Sequence, residues 1–234
     1  ELSNQFNQPY GAQLTVNGGT LVNASGATLA SLGGQTPGGG RGLSAQLDNQ
    51  GTVTVAVPLT INRASSAHLN SGVIDATAAD LTITQSGTTP SFVNQGGITL
   101  TAGRTLAVSG GAFTTDAAAT IVGGTLSLVN TAAAFNDATP SVTALSLATT
   151  TATFAGEVNT GTTALTVTSS TLNGALPLTN PVGQTLDLNS ATINMPLVNE
   201  GVLVASGTSA FGGTVGQGLF KLFQDFLANP EDID

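Results

Sequence analysis

The chain has 234 residues, a formal net charge of -9 and only 7% charged residues; Thr, Ala, Gly, Ser and Asn make up more than half of it. Four basic residues cannot neutralise a phosphate backbone or form a polybasic membrane patch, which argues against nucleic-acid binding and lipid-surface docking. The absence of Cys excludes disulfides, thiolate zinc sites and thiol nucleophiles, and no apolar run approaches the roughly 20 residues that span a bilayer.

Residues 1–10 are polar and non-repetitive and read as an N-terminal tail or lead-in strand. The chain opens on Glu1 without a Met, so it is expected to be a mature, processed or excised piece. From residue 11 to 215 the pattern is that of a single β domain. Short runs alternate apolar with small polar residues, as in Thr52-Val53-Thr54-Val55, Leu81-Thr82-Ile83-Thr84, Thr105-Leu106-Ala107-Val108 and Thr125-Leu126-Ser127-Leu128. That period of two marks half-buried strands. Gly, Asn, Ser or Pro follows nearly every run, as tight turns require. Residues 33–42 hold six glycines with Pro37 and Arg41, and read as a corner loop or a small insertion.

A ragged repeat organises these runs. Two residues, usually apolar, precede an Asn, and Gly or another small residue follows at Asn23, Asn49, Asn70, Asn94, Asn130 and Asn199. The first four lie 26, 21 and 24 residues apart. A period near 21 residues suits one coil of two or three strands. The expected fold is therefore all-β: a parallel β-solenoid (right-handed β-helix) over 11–215, with about nine or ten coils stacked at roughly 4.8 Å. The six Asn residues are expected at stacked corners, where Asn tolerates left-handed backbone and its amide reaches the next coil. Aromatic rings are expected to be rare inside so narrow a coil. The competing fold is an antiparallel β-sandwich with Thr-rich strands.

Residues 216–234 change period. Leu219, Phe220, Leu222, Phe223, Phe226 and Leu227 fall on one face of a short C-terminal amphipathic helix, stopped by Asn229-Pro230 and followed by an acidic tail. This helix would cap the last coil or dock on another subunit.

Chemistry-bearing clusters are sparse, and no catalytic, cofactor or metal residue is assigned. The acids are dispersed, with Asp75 and Asp80 the closest pair in the repeat region, and they read as solvated surface groups. The only imidazole, His68, occupies the place that Leu47, Phe92 and Leu197 take in the Asn phrase, so it reads as a rung residue. Gly38-Gly39-Gly40-Arg41-Gly42 has the look of an anion-binding loop but lacks the lysine and hydroxyl of a phosphate loop, so a corner is the simpler reading. Thr-x-Thr pairs occur at 52/54, 82/84, 99/101, 151/153 and 166/168, too irregularly for an ice-binding array.

The stretches Phe92–Gly111, Leu69–Ala76 and Leu197–Gly207 resemble the β-strand repeats of large bacterial secreted and surface proteins, such as filamentous-haemagglutinin-like exoproteins and autotransporter passenger domains. The resemblance implies a secreted right-handed β-helix acting as an adhesin, stalk or matrix component, extracellular or at the cell surface, and it carries over no catalytic residue. The expected function is a non-enzymatic structural protein that self-associates head-to-tail, possible partners being a surface glycan or a host or cell-surface protein. A glycan-binding or glycan-cleaving β-helix is the alternative.

Overall fold

The computed structural model describes residues 1–3, 10–35, 38–137 and 139–212. These residues wind into a parallel β-solenoid with three faces. The strands of the first face are the opening halves of Ala12–Asn23 and Arg41–Asn49, then Leu59–Ile61, Leu81–Thr84, Thr105–Ser109, Thr125–Val129, Ala144–Ala148, Ala164–Thr168, Thr185–Asn189 and Val202–Ser206. The second face starts with the closing halves of the two long strands. It continues through Ala67–Asn70, Ser91–Asn94, Ala112–Thr115, Ala132–Phe135, Thr151–Phe154, Thr171–Gly174, Thr192–Asn194 and Ala210–Phe211. The third face comprises Thr28–Ser31, Thr52–Val55, Val73–Ala76, Gly97–Leu100 and Thr120–Val122, then a single bridge at Ser141, then Val158–Asn159, Leu178–Asn180 and Leu197–Asn199.

Pairing along every face is parallel; on the first and second faces it links each coil to the next, whereas the third face falls into a five-stranded and a three-stranded sheet. Nine coils are complete, and Val202–Ser206 with Ala210–Phe211 begin a tenth. This is the expected solenoid and excludes the antiparallel sandwich. Among the described residues there is no helix, and so none long and apolar enough to cross a membrane. The helix expected from Leu219 to Leu227 lies outside the described residues.

The core follows from the alternation. In a strand, successive side chains point to opposite faces, so every second residue enters the coil. On the first face Leu59, Leu81, Leu106, Leu126 and Leu145 stack in register, and Ile61, Ile83, Val108, Leu128, Leu147 and Val167 form the neighbouring column. All are buried. Each such side chain taken from water contributes about 1.5–3 kcal/mol before entropy, and aliphatic neighbours of similar size above and below need little rearrangement from coil to coil.

The expectation about aromatics is overturned. Phe92, Phe113, Phe135 and Phe154 stack through the core of the second face, with ring centroids 5.8, 6.0 and 4.7 Å apart. The stack changes column between Phe113 and Phe135. Phe92 and Phe113 occupy the inner column whose next members are Ala133 and Ala152, whereas Phe135 and Phe154 follow Asn94 and Thr115 in the other. Each coil there carries one ring and one small side chain, so its enclosed volume is conserved.

Candidate functional site

The buried polar groups are the first place to look for chemistry. Asn23, Asn49, Asn70 and Asn94 form one ladder at the corner between the second and third faces. The Nδ2 of each of the first three donates to the Oδ1 of the next Asn at 2.7 Å. The same nitrogens also reach carbonyl oxygens one coil on, at Thr52, Val73, Gly97 and Thr120. The phrase ends in Gly for a steric reason: a Cβ on Gly72 or Gly96 would collide with the carbonyl oxygen of Gly51 or Gly72 in the coil before. The ladder stops where Thr115 takes the place of the next Asn.

The other two expected corner residues sit elsewhere. Asn199 belongs to a separate ladder at the corner between the third and first faces. There Thr160 Oγ1 donates to Asn180 Oδ1 at 2.6 Å and Asn180 Nδ2 donates to Asn199 Oδ1 at 2.7 Å. Asn130 is exposed and joins no amide ladder. It lies at the corner between the first and second faces with φ 53°, in line with Gly110, Thr149, Ser169, Ser190 and Gly207, all at positive φ. All but Gly207, which lies on the last described coil, donate their N–H to a carbonyl of the following coil, as Asn130 does to Ala148 and Thr149 to Thr168. Local turn geometry, not amide stacking, selects Asn130. This left-handed column was legible as small or polar doublets after each alternating run: Gly110-Gly111, Asn130-Thr131, Thr149-Thr150 and Ser169-Ser170.

His68 is a rung residue, as expected. It pairs with Phe92 across coils, and its Nδ1 accepts the Leu47 N–H at 3.2 Å. Its Nε2 is buried without a partner. Burial first, and the nearby Arg63 charge second, lower its pKa to about 4. The imidazole is thus neutral at pH 7, but only 2% exposed, and no substrate reaches it.

Asp75 and Asp80 do not converge on a shared site. Asp75 accepts the N–H of Thr77 at 3.1 Å and its hydroxyl at 2.6 Å; Asp80 accepts the Thr105 N–H of the next coil at 2.9 Å. Among the described residues no three His, Asp or Glu side chains gather as metal ligands. Arg41 is buried and spends its guanidinium on backbone carbonyls: Nε to Leu32 at 2.8 Å, Nη2 to Gly33 at 2.7 Å, and Nη1 to Gly38, Gly39 and Gly40. The glycine-rich string therefore wraps its own arginine instead of presenting it to an anion. The Thr-x-Thr pairs divide over all three faces and make no common array.

One irregularity remains. The third face loses its strand between Thr120–Val122 and Val158–Asn159. A cleft of about 550 Å³ opens there, lined among others by Asp137, Thr139, Ser141, Glu157, Asn159 and Thr162. Thr139 Oγ1 bonds the Glu157 carbonyl across it. The polar groups of the lining are hydroxyls, an amide and two carboxylates, beside Pro140 and Gly156, and none of the described lining residues is aromatic.

No family model matches this chain, and no curated protein and no solved structure matches it. What defines it is its architecture, a three-faced parallel β-solenoid.

Proposed function

We propose that this protein is a non-enzymatic structural subunit, secreted to the cell surface or the extracellular matrix, where it builds a fibre, layer or adhesive stalk by self-association. One observation carries the reading: a parallel stack of nine coils whose outward positions are mostly Thr, Ser, Ala and Asn, a surface built for stacking and not for chemistry. Low charge density supports it, because it weakens the repulsion between copies. The likeness to bacterial exoprotein repeats belongs to this reading too. Electron microscopy of the purified protein is the test. Rods joining into fibres are expected; discrete globules at high concentration count against it.

The second reading, a glycan-binding or glycan-cleaving β-helix, draws on the cleft beside Asp137 and Glu157. Depolymerisation of any member of a polysaccharide panel, abolished by Glu157→Gln, would favour it.

A further inference from the structure

The joint between the second and third coils is held differently from the next one. On the second face, Ala67–Asn70 pairs along its whole length with Ser91–Asn94 of the following coil. Towards the coil before, only Leu69 and Asn70 enter the ladder, opposite Asp48 and Asn49. Side chains replace the missing backbone partners. The Leu47 N–H is donated to His68 Nδ1 at 3.2 Å, and the Ala67 N–H to Gln46 Oε1 at 3.2 Å. Gln46 Nε2 in turn donates to Thr20 Oγ1 of the first coil at 2.9 Å. Residues 62–66 form a corner loop outside the strands. From it Arg63 reaches back to the first coil, donating from Nη1 to the Gly19 carbonyl at 2.8 Å and from Nη2 to the Asn17 carbonyl at 3.0 Å.

Of these contacts, the one made by His68 is open to switching by a proton. In the neutral ring Nδ1 accepts, which puts the ring proton on Nε2, the buried atom without a partner. A second proton makes both nitrogens donors. Nδ1–H then opposes the Leu47 N–H, donor against donor, and both residues are buried away from water.

We infer that His68 is an acid-sensitive latch: taking up a proton breaks its bond to Leu47 and opens the second face between the second and third coils, while the rest of the rod stays closed. The surroundings offer an imidazolium nothing to settle against. Arg63 is tied to its two carbonyls, and its charge disfavours a second cation. Among the elements around His68, Thr52–Val55, Leu59–Ile61 and Ser91–Asn94 carry no charged residue. Arg41–Asn49 brings Arg41, caged by carbonyls at its far end, and Asp48, which alternates to the outer side from Leu47 and accepts from Gln50 Nε2 at 2.8 Å. Val73–Ala76 brings Asp75, whose carboxylate is taken by Thr77. First-face and third-face pairs and the Asn49–Asn70 amide bond still cross the joint, so the opening is local.

The test is residue-resolved amide hydrogen exchange of the full chain at pH 7 and pH 5. Carboxylates of ordinary pKa stay largely charged over this interval, and His68 is the one histidine of the chain. After correction for intrinsic rates, protection at Leu47, Ala67 and the adjacent second-face amides should fall about 30-fold, tenfold for each pH unit below 6.5. Leu165 and Leu186, beyond the third-face break, should be unchanged. An equal fall along the whole rod is the signature of global unfolding and would overturn the latch, as would no fall at the joint. Two variants, checked for fold by circular dichroism, assign the effect. His68→Asn keeps an acceptor near the place of Nδ1 without titrating, and should hold protection at both pH values. His68→Phe loses the acceptor, and should lower Leu47 protection equally at both. A pH-dependent fall surviving in H68N, or full Leu47 protection in H68F, would remove His68 from the role. The comparison between coils of the unaltered protein stands without either variant.

Discussion

At the residue scale, the side chains that matter most are the polar ones the coil has swallowed. Asn70 is an interior member of its ladder, accepting from Asn49 and donating to Asn94. Asn70→Ala orphans a buried donor above and a buried acceptor below, each costing about 1–3 kcal/mol. Asn23→Ala, at the ladder's end, orphans only one. Chemical denaturation should rank N70A well below N23A; equal losses would show that the ladder does not act as a unit. His68 makes stability depend on pH in a definite direction. Its native pKa of about 4 is below the ordinary 6.5, so the unfolded chain takes up the proton first as pH falls. Stability from keeping the ring neutral is present above pH 6.5 and is lost between there and about 4, up to about 3 kcal/mol. His68→Leu should flatten that part of the stability–pH curve. Thr149 is a β-branched residue at φ 51°, where L side chains are strained. Thr149→Asn should raise stability by about 1 kcal/mol, read as a higher denaturation midpoint.

At the scale of the element, the second face tests how far a coil tolerates rearrangement. Phe113→Ala removes a ring packed against Phe92 and Phe135 and should cost about 3–5 kcal/mol. Adding Thr115→Phe places a ring in the other inner column, which is the arrangement the next coil already uses with Ala133 and Phe135. The double variant F113A/T115F should recover a good part of the loss. A double variant less stable than F113A would show that backbone shape, and not enclosed volume, fixes the column. The strands were legible because a period of two survives in Leu59–Ile61 as clearly as in Leu186–Leu188. The column switch was not, because it depends on which residues the coil brings opposite each other 19–21 residues apart.

At the scale of the whole molecule, stability accumulates by nearest-neighbour stacking. The interruption of the third face beside Ser141 leaves that coil with two laddered faces where its neighbours have three. Native-state hydrogen exchange should show coils on the two sides of this break opening separately, with the central coils, such as that of Leu81–Thr84, best protected. Uniform protection along the rod would instead mean that the break carries no weakness. Filaments, if copies assemble with their rods aligned as the proposed function holds, should give an oriented reflection near 4.8 Å along their axis, the spacing of the rungs.

The sequence by itself determined the solenoid, its coil number and the four residues of its longest amide ladder, since alternation, Asn-x-Gly corners and a period near 21 residues are local or repeated features; it set Asn130 wrongly among them and missed Thr160 and Asn180. It also placed His68 among the rungs through its position in the Asn phrase. Only the tertiary structure decided which corner each Asn serves. The phrase at Asn94 and the phrase at Asn199 read alike, yet one turns from the second face to the third and the other from the third to the first. The turn chemistry is the same at either corner, so only the preceding count of residues per coil sets which one it closes. The same holds for Arg41, whose carbonyl cage exists only once the loop before it has folded back.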